Sequence, residues 1–210
     1  RAIAANTAEL DYFQVNSNGT GASAMGTDAI AIGELSKASA EDAVAIGFAA
    51  DAAATGSTAV GLNAIALSAN SLAGGRFTTS SEQNAIAIGN FAQATAIRSQ
   101  AFGSGAKAFA EGSLALGNRS TVTLNGGSSV ALGAKSIADA ADIVSFGRAA
   151  DPTNGATEIT RRLTNVTDGV NDSDAATFGQ LKAANSAITV NTNAISVNTA
   201  KLDYFQVNSN

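Results

Sequence analysis

The chain has 210 residues and is 45% hydrophobic, but much of that fraction is alanine, and 5% aromatics without tryptophan cannot build one large globular core. It has no cysteine and no histidine, which excludes disulfides, thiol nucleophiles, imidazole bases and Cys/His zinc sites together. A net charge of −5 argues against nucleic acid, which wants basic stripes.

At the N-terminus, Ile3, Asn6, Leu10 and Phe13 alternate spacings of three and four, the seam of a coiled coil, and assign 1–13 to one. Residues 14–20 lead out of it. From 21 to 152 the period changes. Gly33, Gly47, Gly61, Gly75, Gly89, Gly103, Gly117, Gly133 and Gly147 are 14 residues apart in every interval but one, which is 16. Each closes a five-residue phrase such as Ala43-Val-Ala-Ile-Gly47 or Ser129-Val-Ala-Leu-Gly133. A fixed period predicts a solenoid whose repeats bury their faces by stacking on one another.

Fourteen residues with period-2 patterning leave room for two short strands and two tight turns. With the repeat glycine as position zero, −4 and −2 are small (Ala43, Ala45) and −3 and −1 are larger and apolar. Positions +3, +5 and +7 are small (Ala50, Ala52, Ala54), with mostly polar residues at +4 and +6. Side chains alternate across a strand, so the facing small rows are predicted to fill a thin interior. The aliphatic row must then point out of the coil: Ile30, Ile32, Val44, Ile46, Ile86, Ile88, Leu114, Leu116, Val130 and Leu132. Nine rungs of it make a larger apolar patch than a soluble monomer carries, so the solenoid is predicted to be an obligate oligomer of this chain. The 16-residue interval places an insertion near Leu124-Asn-Gly-Gly127, Gly19 falls on the same spacing ahead of the first outer strand, and the only proline, Pro152, follows the last rung.

Residues 153–180 lack the period. Over 181–205, Leu181, Ile188, Ile195 and Leu202 are seven apart, with Ala184, Asn191, Asn198 and Phe205 three after each. This is a second heptad seam. Asp172 or Ser173 is the expected N-cap, with Asp174 in the first turn. Leu10–Asn18 recurs letter for letter at Leu202–Asn210, so 206–210 is expected to begin another period of a longer fibre. No signal peptide and no apolar run of about 18 residues occurs, so export and anchoring are expected outside this stretch.

The repeat phrases, the segment Arg161–Lys182 and the Ile-x-x-Asn-Thr heptads resemble trimeric autotransporter adhesins. The resemblance spans essentially the whole chain. It implies a mainly β head over 21–152, a left-handed parallel β-roll of 14-residue repeats assembled as a homotrimer. It also implies a neck over 153–180, three-stranded coiled-coil stalk segments at both ends, and a stalk-to-head connector over 14–20. Gln14-Val15 stands there in place of the usual His-Ala. The implied function is that of a bacterial cell-surface, outer-membrane-attached adhesin segment, binding host matrix proteins or other cells; a purely structural spacer in a long fibre is the other reading.

Three sets of residues follow as site candidates. Asn6, Asn191 and Asn198 occupy d positions; they form either a register-setting polar layer bridged by water or, as the family's Asn-Thr heptads imply, an axial chloride site. Ile65, Leu67, Phe109 and Ile137 break the polar rule of the outer strand; they are either ordinary scattered surface residues or a ligand-binding stripe. Arg161 and Arg162 are expected to pair across a subunit boundary with Asp168, Asp172 or Asp174. No catalytic, cofactor-binding or metal-binding residue is predicted. Gly19-Thr-Gly21-Ala-Ser-Ala24 and Gly103-Ser-Gly105-Ala-Lys-Ala108 match a loose dinucleotide fingerprint, but neither opens a helix after a strand as the fingerprint requires. Solenoid acyltransferases need six-residue rungs and a catalytic histidine; ice-binding solenoids need a threonine array on every rung. Both are absent.

Overall fold

The computed structural model describes residues 20–153 and 155–207; Asn6, the rest of the N-terminal seam and Gly19 lie outside them. Two compact units divide between Arg161 and Arg162.

The first unit is a parallel solenoid of two nine-stranded sheets. One sheet runs from Ile30–Ile32 to Val144–Ser145 and the other from Ser23–Ala24 to Ile137–Ala138, with successive turns of the chain alternating between them. Every pairing is parallel and joins equivalent positions of neighbouring rungs, as in Ile86↔Gln100↔Leu114 or Gln93↔Lys107↔Thr121. Where the 16-residue interval falls, register is kept by pairing Leu114 with Val130 and Thr121 with Ile137.

The interior is almost wholly alanine and serine. Ala45, Ala59, Ala73, Ala87, Ala101, Ala115 and Ala131 of one sheet, and Ala38, Ala52, Ala66, Ala94 and Ala108 of the other, are completely buried. Small side chains let the sheets lie close, and most of the buried hydroxyls are satisfied locally; those of Ser71, Ser80 and Thr123 meet no hydrogen-bond partner among the described residues. At +3, Ser36, Thr78, Ser120 and Ser136 donate to the carbonyl of their own repeat glycine at 2.7–2.9 Å. At −4, Ser99 and Ser113 donate to Ala96 and Ala110. A buried hydroxyl left unbonded would cost about 1–3 kcal/mol, so at these six positions the carbonyl within reach is what lets serine or threonine stand in for alanine.

Position +7 departs from the expectation in most rungs, Ala110 being the buried exception. Ala54 and Ala96 are only partly buried, because the outer strand ends before them and they begin the turn. Their N–H groups meet the hydroxyls of Ser57 and Ser99 at 3.2 Å.

The repeat glycines are demanded twice over. Gly47 has φ +127°, and a Cβ there would stand 2.6 Å from the carbonyl oxygen of Gly61 on the next rung. Rungs also hold one residue in the left-handed region at each turn, at +2 and +9, the insertion moving the second to Ser128 in its own rung. These include Leu35, Ala49, Phe77, Phe91 and Arg119 at one turn and Asp42, Asn70, Asn84 and Arg98 at the other, with φ between 51° and 60°.

The insertion has a packing partner. Val122 is the largest fully buried side chain, at a position where the other rungs carry alanine or serine. A Cβ on Gly126 would collide with Val122 Cγ1. The longer turn and its glycine thus accommodate the one enlarged core residue.

After the last rung the chain doubles back through antiparallel bridges, Arg148 with Ile159 and Asp151 with Ala156. The first eight residues of the predicted 153–180 segment, and Arg161 after them, therefore belong with the solenoid.

The second unit contains one helix, Phe178–Val207, longer at both ends than the predicted 181–205 seam. Its N-cap is Thr177, not Asp172 or Ser173. Thr177 Oγ1 accepts from Gln180 N–H at 3.2 Å, while Gln180 Oε1 accepts from Thr177 N–H at 3.0 Å. This is a capping box. Asp174, expected in the first helical turn, instead lies in the preceding loop and accepts from Val170 and Asn171 N–H, each at 2.9 Å.

Candidate functional site

The first sheet alternates buried alanine with outward residues along each three-residue strand, as in Val44-Ala-Ile46 and Leu114-Ala-Leu116. All ten predicted outward residues point away from the alanine interior. None is fully buried, and Ile30, Ile88 and Leu116 are 48%, 41% and 41% exposed. In-register pairing stacks them into two continuous rows, broken by Thr58 and Gln100 in one and Gly74 in the other. Covering the exposed half of one such side chain contributes roughly 1 kcal/mol. The face is a self-association surface in its chemistry: long, aliphatic and uncharged.

The second sheet faces the opposite way and is polar. Ile65 lies on one strand's outer face and Leu67 just beyond that strand's end, Leu67 being the more exposed. Phe109 lies three rungs further on and Ile137 five rungs beyond Ile65, with Thr79, Gln93 and Thr95 between. At about 4.8 Å per rung, three rungs is roughly 14 Å. These four residues occupy one sheet but do not touch as a single patch.

A different apolar feature escaped sequence reading. Phe77 and Phe91, both at +2, stack with ring centroids 5.1 Å apart, and the Arg76 guanidinium lies 4.8 and 5.5 Å from the two rings. Their 14-residue separation was visible, but a position occupied elsewhere by Leu, Ala, Asn, Gly, Arg or Lys gave no reason to single it out.

At the end of the solenoid, Arg161 spans the last rungs within its own chain. Its Nη2 donates to the Ala134 carbonyl at 2.5 Å and its Nη1 to the Phe146 carbonyl. Within its own chain the guanidinium thus meets main-chain oxygens; the expected carboxylates are those of a neighbouring chain. Asp168 accepts from Thr177 Oγ1, and Asp174 is held by main-chain N–H groups. The donors on Asn171, then Val170, push the Asp174 carboxyl below its ordinary value of 3.8. Arg162 and Asp172 are exposed. Among the described residues the only ion pair is Arg98 with Glu111, on the turn opposite the phenylalanines.

On the helix, Leu181, Ile188, Ile195 and Leu202 are all more than half exposed, which marks an uncovered seam. Thr192 and Thr199 donate to the Ile188 and Ile195 carbonyls at 2.9 and 3.0 Å, and the neighbouring Asn191 and Asn198 side chains are exposed. No helix among the described residues is long and apolar enough to cross a membrane. No cluster of three or more potential metal ligands occurs among them.

Comparison with known proteins agrees with both units. A model of the YadA head domain repeat matches 24–50, 52–78, 80–99 and 94–120, and one of the coiled stalk of trimeric autotransporter adhesin matches 162–204. The crystal structure of the collagen-binding domain of the Yersinia adhesin YadA superposes with a TM-score of 0.71 at 30% identity. The alignment covers 81% of this chain and 90% of that one. No curated protein sequence matches.

Proposed function

From the premise that this chain belongs to the trimeric autotransporter adhesins, we propose that it is a homotrimeric adhesive segment of a bacterial surface fibre. The observation that carries this is the aliphatic face of the first sheet, present in a solenoid that matches the family's head. Three copies placing these rows against one another remove them from water and leave three polar second sheets facing out. The helical seams close in the same way, as a three-stranded stalk. The family implies a cell-surface location with attachment to the outer membrane.

The related Yersinia domain is described as collagen-binding, so fibrillar matrix proteins are the first ligand class to test. No enclosed site is required for such a ligand. Three identical flanks multiply individually weak contacts through effective concentration, and the scattered points Ile65, Leu67, Phe109 and Ile137 suit shallow contacts of this kind. At the neck, exposed Arg162 and Asp172 remain the groups able to pair between chains.

The test is surface retention of the purified trimer on collagen, laminin and fibronectin, compared with a variant unable to trimerise. Retention by the trimer and its loss in the monomer supports adhesion through avidity. A well-folded trimer that binds none of them would favour the spacer reading. Replacing Ile65, Leu67, Phe109 and Ile137 together with serine should leave the trimer intact and weaken retention; unchanged retention removes these residues from the contact surface.

A further inference from the structure

The net negative charge conceals a separation of charge along the roll. From Gly75 to Ala138, the turn after each repeat glycine and the outer strand that follows carry Arg76, Lys107, Arg119 and Lys135 and no acid. The acids of this stretch, Glu82 and Glu111, lie at the opposite turn, where Glu111 pairs with Arg98. Within the cationic stretch a notch of about 410 Å³ opens between Phe91 and Arg119 over the strand residues Gln93, Lys107 and Thr121. It exists because Gly105 occupies the +2 position of the middle rung. Neighbouring rungs place the side chains of Phe91 and Arg119 there.

We propose that this notch binds an acidic glycan, a sugar unit bearing sulfate or carboxylate. Phe91 is 50% exposed; Phe77, from the rung before, covers one of its faces. The other face looks along the roll toward the Gly105 rung and offers a flat apolar platform to the C–H face of a pyranose. Two rungs separate Phe91 from Arg119, about 9.6 Å at about 4.8 Å each, which leaves room for one saccharide ring. Lys107 and Arg119 are exposed and have no ion-pair partner among the described residues, so both are available to an anionic substituent. Gln93 and Thr121 flank Lys107 in register and present amide and hydroxyl groups to sugar hydroxyls. Lys135, one rung beyond Arg119, continues the cationic track for a polymer.

The proposal adds a ligand class to the adhesive reading and can fail without it. The trimeric protein is measured against immobilised heparin, hyaluronan, neutral dextran and a single-stranded oligonucleotide. Binding is expected to heparin, to hyaluronan or to both, and not to dextran; heparin alone would identify sulfate as the group recognised, and hyaluronan would show that carboxylate suffices. Arg119→Glu combined with Lys107→Glu should weaken binding at least about tenfold, more at low salt than at high. Gly105→Asn should fill the notch and weaken binding while the trimer stays folded, since Asn63 already occupies the equivalent position at φ 52°. Lys37→Glu, on the same sheet but outside the cationic stretch, should change binding less than about twofold. The proposal is overturned if neither glycan binds, if the oligonucleotide binds more tightly than both, or if Lys37→Glu is as damaging as the double change. Dissociation of the trimer by Gly105→Asn would also overturn it, by showing the notch to be a subunit contact. Retention on matrix proteins with no glycan binding would leave the adhesin standing and this site refuted.

Discussion

Glycine and left-handed backbone set the tolerance of each rung to change. At Gly47 a methyl group has nowhere to go, because the obstacle is the Gly61 main chain 2.6–2.7 Å away and φ is +127°. Gly47→Ala is expected to destabilise the head by about 3 kcal/mol or more, read as a lower denaturant midpoint. Ala49 is the opposite case. It holds φ 51°, a conformation that costs an L-residue roughly 1 kcal/mol. Ala49→Gly should therefore raise the midpoint, by about 0.5–1 kcal/mol in stability. A fall would mean that the Ala49 methyl contributes more through packing than its backbone loses through strain.

Within the second unit, the start of the helix depends on a few hydrogen bonds. Thr177 and Gln180 cap each other, and Gln180 also donates to the Gly169 carbonyl at 2.9 Å. Thr177→Ala is expected to cost about 1 kcal/mol and to fray the first turn, seen as faster amide exchange there. Asp174 supplies a pH dependence of known sign. Its folded pKa is lowered from 3.8 by main-chain donors, so its contribution is present above that value and disappears as pH falls through the lower folded pKa. Acidification below pH 3.8 should loosen the Val170–Asp174 loop, and Asp174→Asn should abolish that dependence; equal acid sensitivity in the two proteins would show that another group controls it.

For the molecule as a whole, assembly follows from an interior made of methyl groups. Alanine and serine bury little area per residue, so much of the aliphatic surface lies outside the coil, where another chain must cover it. Ile46→Asp with Ile88→Asp would place carboxylates within that covered face, at a cost of several kcal/mol each, and should abolish the trimer in light scattering. A persisting trimer would refute the assignment of the interface. On the stalk, we propose that Asn191 and Asn198 each contribute to an axial anion site in the trimer. Crystals grown with bromide should show anomalous density on the axis at both layers, whereas ordered water alone would leave the polar-layer reading.

The period of the glycines and the alternation of small with aliphatic residues determined the solenoid, its register and its outward apolar face. These are consequences of local geometry repeated rung after rung: a strand flips its side chains every residue, and only one of two apolar faces fits inside a coil so thin. Heptad spacing determined the helix for the same reason. Tertiary structure decided what depends on the neighbouring rung. Ser99 is tolerated in the interior because a carbonyl happens to face it, Val122 because Gly126 yields space, and Phe77 meets Phe91 because the turns stack. Arg161 was expected to pair with a carboxylate of a neighbouring chain; within its own chain, the reversal after the last rung places it against two main-chain oxygens. The notch beside Gly105 is of this kind too: the missing side chain and the two cations acquire meaning only when residues 14 apart become neighbours.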